Sequence, residues 1–254
     1  PHLFGIHVLS VEGRLTGAVE WETDRARFER EALAMGRLSW HPNIVVVHET
    51  GTTDQGMPYL VEEFVEGGSL GEKLRRDGPL DPAAAISDLI QLCAAVHTAH
   101  EADLLHRDIK PDNALIDHFG RIKLADFGIA RIDNRALTQV DSIVGTPGYM
   151  SPEQCRGAGE VDLRSDIYAL GCMLFHLAVG QPPFVGSGVG DVLVAHMTEP
   201  APAPSSRWSA LPPAFDALVL RCLEKSPAAR FSSMGEVASA IDSVLPHLVT
   251  AEQP

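Results

Sequence analysis

The sequence predicts an α+β chain in two unequal lobes, a small strand-rich one followed by a larger helical one. Three observations predict it. Short runs with strand character, Leu3 to Leu9, Ile44 to His48 and Tyr59 to Phe64, are confined to the start of the chain. A Gly67-Gly68 break follows the last of them. Beyond that break the apolar residues recur mainly at helical spacing. The division falls at residues 1–63 for the small lobe and 64–254 for the hinge and helical lobe.

The elements follow in order. Leu3 to Leu9 reads as a strand. From Thr23 the pattern turns helical: Thr23 or Asp24 can cap, and Phe28, Glu31, Met35 and Leu38 recur at helical spacing. Ile44 to His48 and Tyr59 to Phe64 read as two strands joined by a polar turn, Thr53-Asp54-Gln55-Gly56. Helices are expected at Ser69 to Arg76, Pro82 to Ala102, Ser165 to Val179, Val189 to Met197, Pro213 to Glu224 and Met234 to Leu245. The Pro-rich stretch from Glu199 to Pro204 reads as a loop between helices.

Composition narrows the function classes. The 254 residues, 45% hydrophobic and 21% charged, suffice for one sizeable core or two small ones. A formal net charge of -14 disfavours nucleic acid and anionic membrane as partners. Cys93, Cys155, Cys172 and Cys222 are scattered with no C-x-x-C pair, which argues against a zinc site or disulfide framework and fits a reducing, cytoplasmic setting. The most apolar run, Ile167 to Val179, is too short to span a bilayer. The chain opens on Pro1 rather than Met, so a fragment is expected, with an anchor outside it left open.

The chemistry-bearing residues form three motifs. His106-Arg107-Asp108-Ile109-Lys110-Pro111-Asp112-Asn113 is followed by Asp126-Phe127-Gly128 and then by Gly145-Thr146-Pro147-Gly148-Tyr149-Met150-Ser151-Pro152-Glu153. A lone D-F-G is weak; the three in this order and spacing are highly specific. On these residues the chain resembles a serine/threonine protein kinase catalytic domain, closest in phrasing to bacterial kinases of the eukaryotic-like (Hanks) type. The resemblance extends from about Leu3 to Leu245 and implies the two-lobed kinase fold, with an antiparallel N-lobe sheet lacking its first two strands.

It also implies an enzyme that uses ATP and Mg2+ to phosphorylate proteins on Ser or Thr. Such a reaction needs positioning and charge neutralisation more than covalent chemistry. Asp108 would accept the proton of the substrate hydroxyl, and Lys110 would set a charge near the γ-phosphate. Asn113 and Asp126 would offer hard oxygen ligands to magnesium. Glu63 and Val65 fall where backbone groups meet adenine, and Leu115 on the adenine floor. Glu153 would pair with Arg230, Asp166 would anchor the backbone of the catalytic loop, and Met35, His106 and Phe127 would stack as core residues across the lobes. Thr138, then Ser142, are the candidate self-phosphorylation sites, with Arg107 as the phosphate's partner; ordinary loop hydroxyls are the alternative. His97 and His100 are expected to be satisfied side chains, and Asp103 to take a left-handed turn.

Three features depart from the family pattern. No G-x-G-x-x-G run precedes the helix with Glu31. His7 stands where the strand Lys should pair with Glu31 and grip the nucleotide's phosphates. Glu62 stands just before the hinge, where an apolar residue or Thr is usual, and a carboxylate there is costly unless paired. One reading links the last two by placing His7 between Glu31 and Glu62, two carboxylates that would favour the imidazolium. The other is a pseudokinase, a binding or scaffold module with impaired use of ATP.

Overall fold

A computed structural model describes residues 4–8, 32–54, 58–127, 147–157 and 161–249. Near the start, β1 (Phe4–Val8), β2 (Val47–Thr52) and β3 (Pro58–Glu63) form an antiparallel sheet in the order β1-β3-β2. A helical turn at 32–38, here α1, precedes β2. Its Met35 is fully buried, whereas Leu33 on the same short helix is 65% exposed.

The second strand starts three residues later than the sequence suggests. Ile44 and Val45 are buried, but their backbone serves the other lobe. Leu124 N–H donates to Asn43 O at 2.8 Å, Val45 N–H donates to Leu124 O at 3.0 Å, and Ile44 forms a parallel bridge with Leu124. Apolar character marked these residues as buried without saying which sheet would pair them.

After the hinge the chain is mainly helical. The helix α2 (Leu70–Asp77) opens on a capping box in which Glu72 N–H donates to Ser69 Oγ and Ser69 N–H donates to Glu72 Oε2. The long α3 (Pro82–Glu101) is started by Asp81, whose carboxylate accepts from Ala84 N–H, with Pro82 at the first turn where no N–H is missed. Its buried Ile86, Leu89, Cys93, Val96 and Ala99 recur at helical spacing.

A two-stranded hairpin, β4 (Ala114–Ile116) and β5 (Ile122–Leu124), follows α3. Then come α4 (Pro152–Arg156), α5 (Leu163–Val179), α6 (Val189–Thr198), α7 (Pro213–Cys222) and α8 (Met234–Val249). The centre of the core is α5, buried almost all round from Ser165 to Ala178. It packs against α3 on one side and α7 on another, while α8 covers α3 and α7. Gly171 permits the closest of these approaches, because a Cβ there would sit 2.5 Å from Cys222 Cβ. No helix among the described residues is long and apolar enough to cross a membrane.

Candidate active site

The site is built on two left-handed turns held from below. Arg107 takes φ 64° and Asp126 takes φ 55°. Such angles cost a non-glycine residue about 1–2 kcal/mol and persist only where the surroundings impose them. At Arg107 the surroundings are specific. Asp166, fully buried on α5, accepts the backbone N–H of His106 at 2.9 Å and of Arg107 at 2.8 Å, and lies 2.8 Å from His100 Nε2. Burial alone would raise the Asp166 carboxyl, but the His100 hydrogen bond and the nearby His106 outweigh it and hold the group below its usual range. On the other side Gln154 Nε2 donates to Arg107 O at 3.0 Å, joining α4 to the same turn.

The imidazole of His106 is the joint between the two turns. Its Nδ1 lies 3.2 Å from Asp108 N–H and its Nε2 lies 3.0 Å from Ala125 O. A donor on one side and an acceptor on the other fix the neutral tautomer with the proton on Nε2. Burial lowers the pKa of this ring in the same direction. The ring also packs on Phe127, with centroids 4.6 Å apart.

The reacting groups converge above this support. Lys110 Nζ lies 2.9 Å from Asp108 Oδ2. Asn113 Nδ2 donates to Asp108 O at 2.8 Å and to Asp108 Oδ2 at 3.2 Å. With the amide nitrogen turned toward two oxygens, Oδ1 is the atom Asn113 presents elsewhere. The β4–β5 hairpin sets the distance from Asn113 to the second turn: Ala114 pairs with Leu124, and Ala125 N–H donates to Asn113 O at 2.9 Å. Asp126 follows directly and is exposed. Asp108, Lys110 and Asn113 therefore belong to one hydrogen-bonded unit, and the residue before Asp126 is tied to it through the backbone. Among the described residues no group of three His, Cys, Asp or Glu could hold a metal.

The hinge side carries two carboxylates with different fates. Glu62 is 3% exposed, and burial, followed by the charges of Asp126 and Glu63, pushes its carboxyl up to about 7. At Glu63, Lys123 Nζ on β5 lies 2.6 Å from Oε1, which also accepts Val46 N–H at 2.8 Å. In the lower lobe the buried Arg230 meets Glu153 through two bonds of 2.7 and 2.9 Å, and Ser165 Oγ donates to Glu153 at 2.5 Å.

Comparison with known proteins agrees with this geometry. The model of the protein kinase domain family matches residues 15–244. The chain belongs to the protein kinase domain family. A probable serine/threonine-protein kinase of Corynebacterium efficiens is 42% identical over 228 residues, covering 86% of this chain and 34% of that protein. The serine/threonine-protein kinase PknB of Mycobacterium leprae is 39% identical over 216 residues, covering 83% and 34% respectively. A probable PknB of Corynebacterium glutamicum is 42% identical over 225 residues, covering 85% and 34%. This kinase domain thus spans about a third of the length of the curated relatives it matches.

The structure brings Asp108, Lys110 and Asn113 together, and Asp126 follows Ala125, whose N–H donates to Asn113 O. Leu115 lies half-buried on β4, and Val65 lies half-buried two residues after the end of β3. The β1–β3 register puts Gly5 opposite Glu62 and His7 opposite Leu60. Glu31, Gly128, Thr138, Ser142 and Thr146 lie outside the described residues, and with Glu31 goes the supposed arrangement of His7 between two carboxylates. Sequence reasoning missed Lys123, Gln154 and His100 as supports of the site. Gln154 carried a readable signal, since Ser151-Pro152-Glu153-Gln154 is a capping box at a helix start. Lys123 and His100 bond across 60 and 66 residues, which no local pattern reports.

Proposed function

We propose that this kinase domain transfers the γ-phosphoryl group of ATP to Ser and Thr hydroxyls of proteins. One observation carries the reading: the carboxylate of Asp108, the ammonium of Lys110 and the amide of Asn113 share hydrogen bonds, and Asn113 O accepts the N–H of Ala125, the residue before Asp126. Asp108 accepts the proton of the attacking hydroxyl as the O–P bond forms and the bond to the leaving ADP oxygen breaks. Lys110 holds its charge against Asp108 and the transferring group, as suits the serine/threonine branch of the family. The 39–42% identical relatives named as serine/threonine-protein kinases support that choice.

The residues present fit Mg2+. Asn113 Oδ1 and Asp126 are two hard oxygen donors, few enough to leave the remaining positions to water and phosphate. The ion, when bound, neutralises phosphate charge. In the hinge, Glu63 spends its N–H on Val46 O at 2.9 Å, so its adenine contact falls to the carbonyl, with Val65 beyond it and Leu115 beneath. Free Cys93, Cys155, Cys172 and Cys222 suit a reducing compartment, and so a cytoplasmic kinase domain. Thr138 and Ser142 remain the proposed self-phosphorylation sites.

The carboxylate of Glu62, buried just before the hinge where the family pattern has an apolar residue or Thr, favours a second reading in which nucleotide binds without transfer. Incubation with Mg-ATP and dephosphorylated casein, followed by mass spectrometry, separates the two. Phosphate on Ser and Thr but not Tyr, lost with EDTA or with Asp126→Asn, is the expected result. Nucleotide binding with no phosphate on casein or on the chain itself would establish the scaffold instead.

A further inference from the structure

Lys225, Tyr168 and His196 form a hydrogen-bonded chain in the helical lobe, apart from the phosphoryl-transfer unit. Lys225 lies just after α7, Tyr168 on α5 and His196 near the end of α6. Tyr168 and His196 are fully buried. Lys225 Nζ lies 2.8 Å from His196 O, 3.3 Å from Ala195 O and 3.4 Å from Tyr168 Oη. Tyr168 Oη in turn lies 2.9 Å from His196 Nδ1.

The proton positions follow from the donors. An ammonium has three N–H groups and no acceptor. Burial draws Lys225 down to about 8, so it is charged at neutral pH, and its three donors meet three oxygens. Tyr168 Oη therefore accepts from Lys225 and sends its own proton to His196 Nδ1. The ring proton of His196 is then on Nε2. Burial, and next the charge of Lys225, lower this imidazole to about 4, so it is neutral. Phe184 holds it from the side, edge to face, with centroids 4.8 Å apart.

One donor is left over. His196 Nε2 is buried and makes no hydrogen bond among the described residues, a costly state for an N–H group. The backbone group that acts on the ring is Gly148, in the helical turn Pro147–Tyr149, against which α6 packs. Met150 and Ser151 lead from that turn into α4, and Gln154 of α4 donates to Arg107 O, next to Asp108.

We propose that His196 is a positioning residue for phosphoryl transfer: the Lys225–Tyr168 chain reserves its Nε2–H for the Gly148 carbonyl, and closing that bond seats the turn that leads to α4 and the catalytic loop. The inference rests on the protein-phosphorylating reading.

The test uses the whole chain as wild type, His196→Gln, His196→Asn and Tyr168→Phe. The amide nitrogen of Gln reaches the place of Nε2 and keeps a donor for Gly148. Asn stops at the place of Nδ1 and keeps only the contact with Tyr168. In the wild type, the nitrogen chemical shifts of His196 are expected to show one neutral tautomer with its proton on Nε2. With dephosphorylated casein, kcat/KM is expected to fall roughly tenfold in His196→Asn, the scale of one lost hydrogen bond felt at the transition state. His196→Gln should stay within about threefold of wild type, and Kd for Mg-ATP should be unchanged in both. A proton on Nδ1 in the wild type, equal activity of the Gln and Asn variants, or a loss that appears in Kd for Mg-ATP overturns the proposal. Should His196→Asn fail to fold, Tyr168→Phe decides, since it lacks a single oxygen: loss of the single tautomer together with lower kcat/KM sustains the proposal, and unaltered activity rejects it. If the wild type transfers no phosphate, the reaction itself is wrong. The seating is then read from hydrogen exchange over residues 148–156, where faster exchange in His196→Asn than in His196→Gln sustains it and equal rates reject it.

Discussion

Lys123 Nζ and Glu63 Oε1 stand 2.6 Å apart, and through that contact β5 grips the end of β3. Lys123 is three residues ahead of Asp126, and Glu63 is the last residue of β3 before the hinge. The same Glu63 oxygen accepts Val46 N–H at 2.8 Å, so the strand leading to the Asp126 turn, the end of β3 and the approach to β2 meet at one carboxylate. The side chains are 11% and 25% exposed, which shields the pair from most of the screening that weakens surface ion pairs.

Breaking that contact should loosen the nucleotide side of the cleft rather than the chemistry. Lys123→Met is expected to lower stability by about 1–3 kcal/mol, the scale of a lost charged hydrogen bond. It should also raise KM for ATP while leaving kcat near the wild-type value, and Lys123→Arg should recover most of the loss. Urea denaturation and steady-state kinetics with varied ATP check both parts. A fall in stability with KM unmoved would make the pair a structural tie only.

The Glu153–Arg230 pair should dominate the acid limb of stability. Burial alone would raise the Glu153 carboxyl, but hydrogen bonds from Arg230 and Ser165 outweigh it and hold the group at about 2. A depressed carboxyl contributes stability that is complete above its unfolded value near 4.5 and is lost as pH falls toward about 2. Glu153→Gln should flatten the stability curve between those limits. Removing one partner of so buried a pair should cost about 3–5 kcal/mol at neutral pH, because Arg230 is left charged and enclosed. Denaturant titrations of wild type and variant across this range read both effects.

Glu62 should act with the opposite sign. Its carboxyl is raised from 4.5 to about 7, first by burial and then by Asp126 and Glu63. The folded state thus favours the protonated form, a contribution complete below 4.5 and lost as pH rises through about 7. Glu62→Gln keeps the shape and removes the titration. Its stability relative to wild type should therefore increase from pH 5 to pH 8. A difference that stays constant over that interval would show that Glu62 is ionised throughout.

Much of this was readable from the chain itself, for definite reasons. Asp103 adopts φ 55°, as an Asp in a position that demands a left-handed turn should. The resemblance to protein kinases implies the Asp166 anchor, the Glu153–Arg230 pair and the packing of His106 on Phe127, and all three are present. What stayed hidden depends on partners far along the chain. Ile44 and Val45 read as strand because they are apolar, yet their N–H groups donate to His41 O and Leu124 O rather than to β3. Glu62 and Glu63 are adjacent carboxylates of the same kind, and only tertiary structure buries one and pairs the other with Lys123.

The central claim is that Asp108, positioned by Lys110 and Asn113, takes the proton of a substrate hydroxyl during phosphoryl transfer. The most direct measurement compares kcat for a Ser peptide and Kd for Mg-ATP in wild type and Asp108→Asn. The account predicts a fall in kcat of about 10²–10⁴-fold, the usual contribution of a positioned general base, with Kd for Mg-ATP changed little. Equal transfer by both proteins, or no transfer by the wild type while Mg-ATP binds, would contradict it.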